Sequence, residues 1–167
     1  MAKKTLNITL YYSELMYDVQ NKTYLTGKSR ETGDNFEAVA NMQANDDEEN
    51  KNQILRSIGN AVSALKARMS EYIIDAGDSS SNILQVVEDA EKLELSLSMP
   101  SNYNNATRDT ISAAAHQFIV NTAIGDWFAI TNKADASDYV AQATANIIEI
   151  REAISKRVRP TRPEINS

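Results

Sequence analysis

Leu93-Glu94-Leu95-Ser96-Leu97-Ser98-Met99-Pro100-Ser101-Asn102-Tyr103 decides the fold, because the hydrophobic period changes inside it. Leu93, Leu95, Leu97 and Met99 alternate with Glu94, Ser96 and Ser98, which is the period of a half-buried strand. Pro100 ends the run, and Ser101-Asn102 offers a helix N-cap. From Tyr103 the spacing turns helical. Ala106, Thr110, Ala114, Phe118 and Ala123, with Ile111, Ala115, Ile119 and Val120, predict a broad apolar face that Ile124, Trp127, Phe128 and Ile130 extend. A helix over 103–131 would be about 40 Å long. Gly125 inside it predicts either close packing or a bend.

A strand needs a partner. The other alternating segment is Thr5-Leu6-Asn7-Ile8-Thr9-Leu10, so a small sheet should tie the N-terminus to the middle of the chain. Two strands alone are marginal and must pack on helices. Tyr12, Leu15, Met16 and Val19 predict about two helical turns ending near Asn21-Lys22, with Gly27 opening a polar loop to about Asp34. Phe36, Val39, Ala40 and Ala44 suggest a short helix. Asp46-Asp47-Glu48-Glu49 reads as the first turn of a long one, where carboxylates suit the positive end of the dipole. Ile54, Leu55, Ile58, Val62, Leu65, Met69, Tyr72 and Ile73 form its stripe. Asp75 to Ser81 reads as a closing loop, and Ile83-Leu84 with Val86-Val87 fits a helical turn or a strand equally. The last helix is expected from Asp135 to Val158, with Tyr139, Val140, Ala143, Ile147, Ile150 and Ile154 inward. The fold class is therefore mainly α, an antiparallel bundle of three or four helices with a two-stranded β element.

Composition agrees. Of 167 residues, 42% are apolar and 24% charged, an ordinary globular balance, while five glycines and three prolines are too few for an all-β chain. Cysteine is absent, which excludes disulfides, thiolate metal sites and a thiol nucleophile. No apolar run nears the ~20 residues of a membrane span. Met1-Ala2-Lys3-Lys4 is not followed by a signal-peptide core, so a soluble protein made without export is expected, with no membrane contact.

Little in the chain carries chemistry. His116 is the only histidine and sits after Ala113-Ala114-Ala115 without ligand-type neighbours one turn away. Such a residue is usually packed or at the surface, and a two-histidine metal site is impossible. There is no nucleophile elbow and no phosphate-cradling glycine loop. Glu88, Asp89, Glu91 and Glu94 are spaced for a solvated turn. No catalytic residue, metal or cofactor is expected, and the protein reads as a non-enzyme. Trp127-Phe128 beside Tyr139 reads as a core aromatic cluster or, alternatively, as a partner-docking anchor.

The charge pattern is the exception. Residues 156–167 carry four basic side chains and one acid, a net +3, on a body of residues 1–155 with net −9. In Lys156-Arg157-Val158-Arg159-Pro160-Thr161-Arg162-Pro163 the prolines forbid helix. The chain thus divides into a helical domain, 1–155, and a basic arm, 156–167. Arg157, Arg159 and Arg162 suit carboxylates on a neighbouring copy, or phosphates in an incidental contact with DNA, or a solvated end.

The segments Leu95 to Tyr103, His116-Gln117-Phe118-Ile119-Val120-Asn121, Asp126-Trp127-Phe128 and Arg157 to Pro163 resemble small virion proteins of tailed bacteriophages of gut Bacteroidetes, as do Leu15-Met16-Tyr17-Asp18 and Asn21-Lys22-Thr23-Tyr24. The resemblance implies a neck or head–tail connector subunit, a helical bundle with extended arms in a ring between portal and tail proteins. It implies a protein of the virion, present in the host cytoplasm before assembly. The N-terminal strand and the second alternating run depart from the commonest connector pattern and leave tail-completion, capsid-associated and head-fibre positions open. The arm and the N-terminal strand would reach onto neighbours. A cytoplasmic helical interaction or regulatory bundle, antitoxin-like, is the alternative.

Overall fold

The computed structural model describes residues 2–75 and 91–164. In chain order these form β1 (Lys4–Tyr11), α1 (Tyr12–Ser29), α2 (Phe36–Met42), α3 (Glu48–Arg68), β2 (Lys92–Met99), a 3-10 turn (Asn105–Thr107), α4 (Arg108–Thr131) and α5 (Lys133–Ser155). The fold is mainly α with one two-stranded antiparallel sheet. The run Ile83–Val87, the serines 79–81, and Glu88 and Asp89 lie outside the described residues.

The two alternating segments pair as their period predicts, Leu6 opposite Leu97, Ile8 opposite Leu95 and Leu10 opposite Leu93. The apolar face packs into the core, with Leu97 and Met99 fully buried, and the Thr, Asn, Ser and Glu face is solvated. A one-residue slip would reverse both faces, so burial fixes the register.

α4 is the axis of the molecule. It contacts α1, α2, α3, α5 and β1. Twelve of its 24 residues are buried, from Ile111 to Phe128, and they do not fall on one stripe. α5 folds back on it through the single residue Asn132. Gly125 explains the closeness: a Cβ there would sit 3.1 Å from Val140 Cγ2. Close packing, not a bend, is the role of this glycine, because α4 continues through it. Val140 itself is 55% exposed and Ile130 68%, so these two leave the predicted inward faces.

Several boundaries move, each for a tertiary reason. α1 runs through Gly27 to Ser29 instead of stopping near Lys22. Its last turns are held by α2: Thr23 Oγ1 accepts from the Ala44 N–H at 3.0 Å, and Gly27 approaches so closely that a Cβ would lie 3.1 Å from the Val39 carbonyl oxygen. Glu48 and Glu49 occupy the first turn of α3 as expected, while Asp46 accepts from Gln20 Nε2 at 2.6 Å. α3 ends at Arg68, so Tyr72 and Ile73 are not helical. Tyr72 to Ile74 turn back along β2, where the Ile74 N–H donates to the Ser96 carbonyl at 2.9 Å and the Ser98 N–H to the Tyr72 carbonyl at 2.7 Å. α4 begins at Arg108, not Tyr103; Asn104 Oδ1 accepts from the Ala106 N–H at 3.0 Å and starts the 3-10 turn.

Polar ties fix α1 against the α4–α5 hairpin. Thr26 Oγ1 lies 2.6 Å from the Tyr139 hydroxyl, and Lys22 Nζ donates to Gln117 Oε1 at 2.6 Å. At the hairpin, Arg30 forks onto Asp135 (Nε–Oδ2 3.1 Å, Nη2–Oδ1 2.5 Å), and Asn132 Nδ2 donates to the same carboxylate at 2.6 Å. The Arg30 hydrogen bonds hold the Asp135 carboxyl below its ordinary value of 3.8. A depressed folded-state pKa contributes stability above the unfolded value, and that stability is lost as pH falls through the folded one. Asp135→Asn is therefore expected to lower unfolding free energy at neutral pH by about 1–2 kcal/mol. It should also flatten the acid limb below about pH 4, measured by urea melts from pH 2 to 7.

Candidate interaction site

α5 stops at Ser155, and the arm begins by stitching itself to its own chain. The Asn104 N–H donates to the Lys156 carbonyl at 3.1 Å and the Val158 N–H to the Asn102 carbonyl at 2.8 Å, with Arg157 bridged to Tyr103. Arg157 Nη1 donates to the Ile154 carbonyl at 2.7 Å, satisfying an orphan acceptor at the end of α5. Arg157 thus caps its own helix through Nη1 while remaining exposed. From Arg159 to Glu164 every residue is exposed. Arg159 and Arg162 make no ion pair or hydrogen bond with any described residue, whereas Arg30 and Arg108 each face a carboxylate.

Trp127 and Phe128 are both buried within the chain. Phe128 is fully buried and meets Tyr139 edge-on, ring centroids 5.4 Å apart at 68°. Trp127 is buried too, its Nε1 donating to the Met42 carbonyl at 2.8 Å, so it fastens the end of α2 onto α4. Both belong to the core, the other reading open to them, because α4 buries residues on more than one side.

The N-terminal strand is likewise engaged within the chain along one edge, where it pairs with β2. Its other edge is different. Ser96 and Ser98 direct their backbone groups toward Tyr72–Ile74, so in this register Leu6, Ile8 and Leu10 bond β2 while Thr5, Asn7 and Thr9 direct theirs outward, as Tyr11 does its N–H; the Tyr11 carbonyl, at the N-cap of α1, belongs to that helix. No described residue pairs with that outer edge. Beside it runs a groove of about 420 Å³ between the end of β1, the first turn of α1 and α4, lined by Thr9, Leu10, Tyr11, Glu14, Asp109, Ala113 and His116 among others. His116 Nε2 lies 2.6 Å from Asp18 Oδ2, tying α4 to α1 at the groove floor. Ser112 stands one turn before His116 in the lining, and no hydrogen bond joins the two. No group of three metal-ligating side chains occurs among the described residues. No helix of the described residues is long and apolar enough to cross a membrane.

A second groove of about 440 Å³, between α2, α3 and α4, is rich in amides, including Asn41, Gln43, Asn45 and Asn50. Asn50 Nδ2 donates to Asn45 Oδ1 at 2.6 Å, so part of that polarity is spent internally.

Sequence reasoning did not find the β1 groove. Its signal was present in the count of alternating runs: two strands make one ladder, and each keeps an outer edge. No protein-family model, curated protein or solved structure matches the chain. The functional reading therefore rests on geometry and charge.

Phe128→Ala should cost about 3–5 kcal/mol in urea unfolding, the price of a large core cavity. Arg159→Ala with Arg162→Ala should change stability by less than about 0.5 kcal/mol, since neither touches the body.

Proposed function

We propose that the chain is a structural subunit of a multi-copy assembly, of the head–tail connector or neck type found in tailed-phage virions, acting through contact rather than chemistry. The single observation that carries this reading is the pair Arg159 and Arg162, exposed on an extended, proline-held arm without a described partner, on a body of opposite net charge. An arm of this kind is complementary to another copy of its own body and, in a ring, makes heterologous contacts in which arm meets a different patch on the next subunit. Portal and tail proteins are the further partners that such a position requires. The polar ties along α1 and the buried α4 support a rigid body suited to a load-carrying ring. Tail-completion and capsid-associated positions share these features.

One observation favours a second reading. Lys156 to Val158 and β1 are bonded within the chain, which leaves a short free arm, as in a monomeric or dimeric helical interaction protein. The two readings separate on assembly. Arg159→Ala with Arg162→Ala is expected to abolish concentration-dependent self-association in sedimentation velocity, with or without added portal protein, at unchanged helical circular dichroism. Association equal to that of the parent chain counts against the arm. Arg157 is left intact in this test because its loss would uncap α5.

A further inference from the structure

The geometry points to the β1–α4 groove as the acceptor for the arm of a second copy of this chain, entered as an added strand. This inference rests on the assembly reading and names its partner surface. A free sheet edge with outward N–H and C=O groups is a template for an extended peptide. Here the template is the N–H and C=O of Thr9 with the N–H of Tyr11, and the groove beside them is open. Glu14 and Asp109 line it; among the described residues Asp109 has only the exposed Arg108 Nε at 3.9 Å. The described basic side chains nearby are already engaged elsewhere: Lys22 is bonded to Gln117, and His116 to Asp18.

The arm fits in chemistry and in phase. If Arg159 and Thr161 present their backbone groups to the β1 edge, the missing N–H of Pro160 faces away, where proline is tolerated in an edge strand. Pro163 would fall back in phase with the edge and ends the pairing. In that phase Pro160 and Arg162 share the face turned to α4, toward Ala113 and the two carboxylates. The backbone just before already pairs in this manner, at Arg157 opposite Tyr103.

The arm's own chain cannot supply this strand. Val158 is fixed on Asn102, and Tyr103 accepts from Lys4 Nζ at 3.1 Å, so the arm is rooted at the Lys4 end of β1. The groove lies at Thr9–Tyr11, five to seven residues farther along, or about 17–24 Å. Arg159 to Thr161 reach at most about 11 Å beyond Val158. A second copy must provide them.

The test uses the full chain carrying Arg159→Ala and Arg162→Ala, so that its own arm does not compete, labelled with ¹⁵N and titrated with a synthetic peptide of residues 156–167. Saturable shifts centred on Thr9, Tyr11 and Ala113 are expected. Glu14→Gln with Asp109→Asn should weaken the peptide at least tenfold. Thr9→Pro, which removes an outward N–H and spares the ladder to β2, should do the same; native circular dichroism confirms each fold. No saturable shift at millimolar peptide, shifts mapping elsewhere, or unchanged affinity in the groove variants overturns the acceptor. If the arm variant still abolishes self-association while the groove stays silent, the assembly reading stands and only this acceptor fails. Thr9 and Tyr11 shifts that differ between parent and arm variant in dilute monomer would place the arm in its own groove and refute the second copy.

Discussion

Burial of α4 from several directions is the constraint on which the rest of the structure depends. A surface helix hides one stripe; this one hides residues facing α5, α3, α1 and the sheet at once. Its Ala114, Ala115, Ala123 and Gly125 keep neighbours close, while Ile111, Phe118, Ile119, Ile124 and Phe128 fill the space between. Small and large side chains interleaved in this way let four helices and a strand reach one axis. Moving any of them displaces α4, so every element shares the cost.

Around that apolar axis the polar groups act as locators. Arg30, Asn132 and Asp135 join the end of α1 to the tight α4–α5 connection, and Thr23 receives the Ala44 N–H. These contacts choose one arrangement of helices among those that greasy faces alone would permit. The His116–Asp18 pair belongs to this set, linking α1 to α4 beside the groove. The chain's single histidine is therefore best understood as a tether.

The surface that remains is uneven in a useful way. Where β2 has its outer edge taken by Tyr72–Ile74, β1 keeps one that no described residue pairs, along a carboxylate-lined trough. Where the first three arm residues are stitched down, the next six are exposed, with two guanidinium groups unmatched among the described residues. A fixed root with a free tip presents the basic residues at a defined place, which lowers the entropy cost of docking.

By itself the sequence determined the period of each element, the pairing of residues 5–10 with 93–99, the helical classes, and the segregation of positive charge at the C-terminus. Those are local or compositional properties: side chains two or three to four apart must share a face whatever lies opposite. Tertiary structure alone decided that α1 passes through Gly27, that Tyr72 and Ile73 leave the helix to border β2, that Val140 and Ile130 face outward, and that Trp127 holds Met42. It also separated Arg157 from Arg159 and Arg162, three arginines indistinguishable by spacing, because only the first lies within reach of the open carbonyl of Ile154. Apart from the Arg157 cap, whose acceptor lies three residues away, each of these outcomes depends on a partner distant in the chain, and the periodicity of one segment carries no record of which surface will be brought against it.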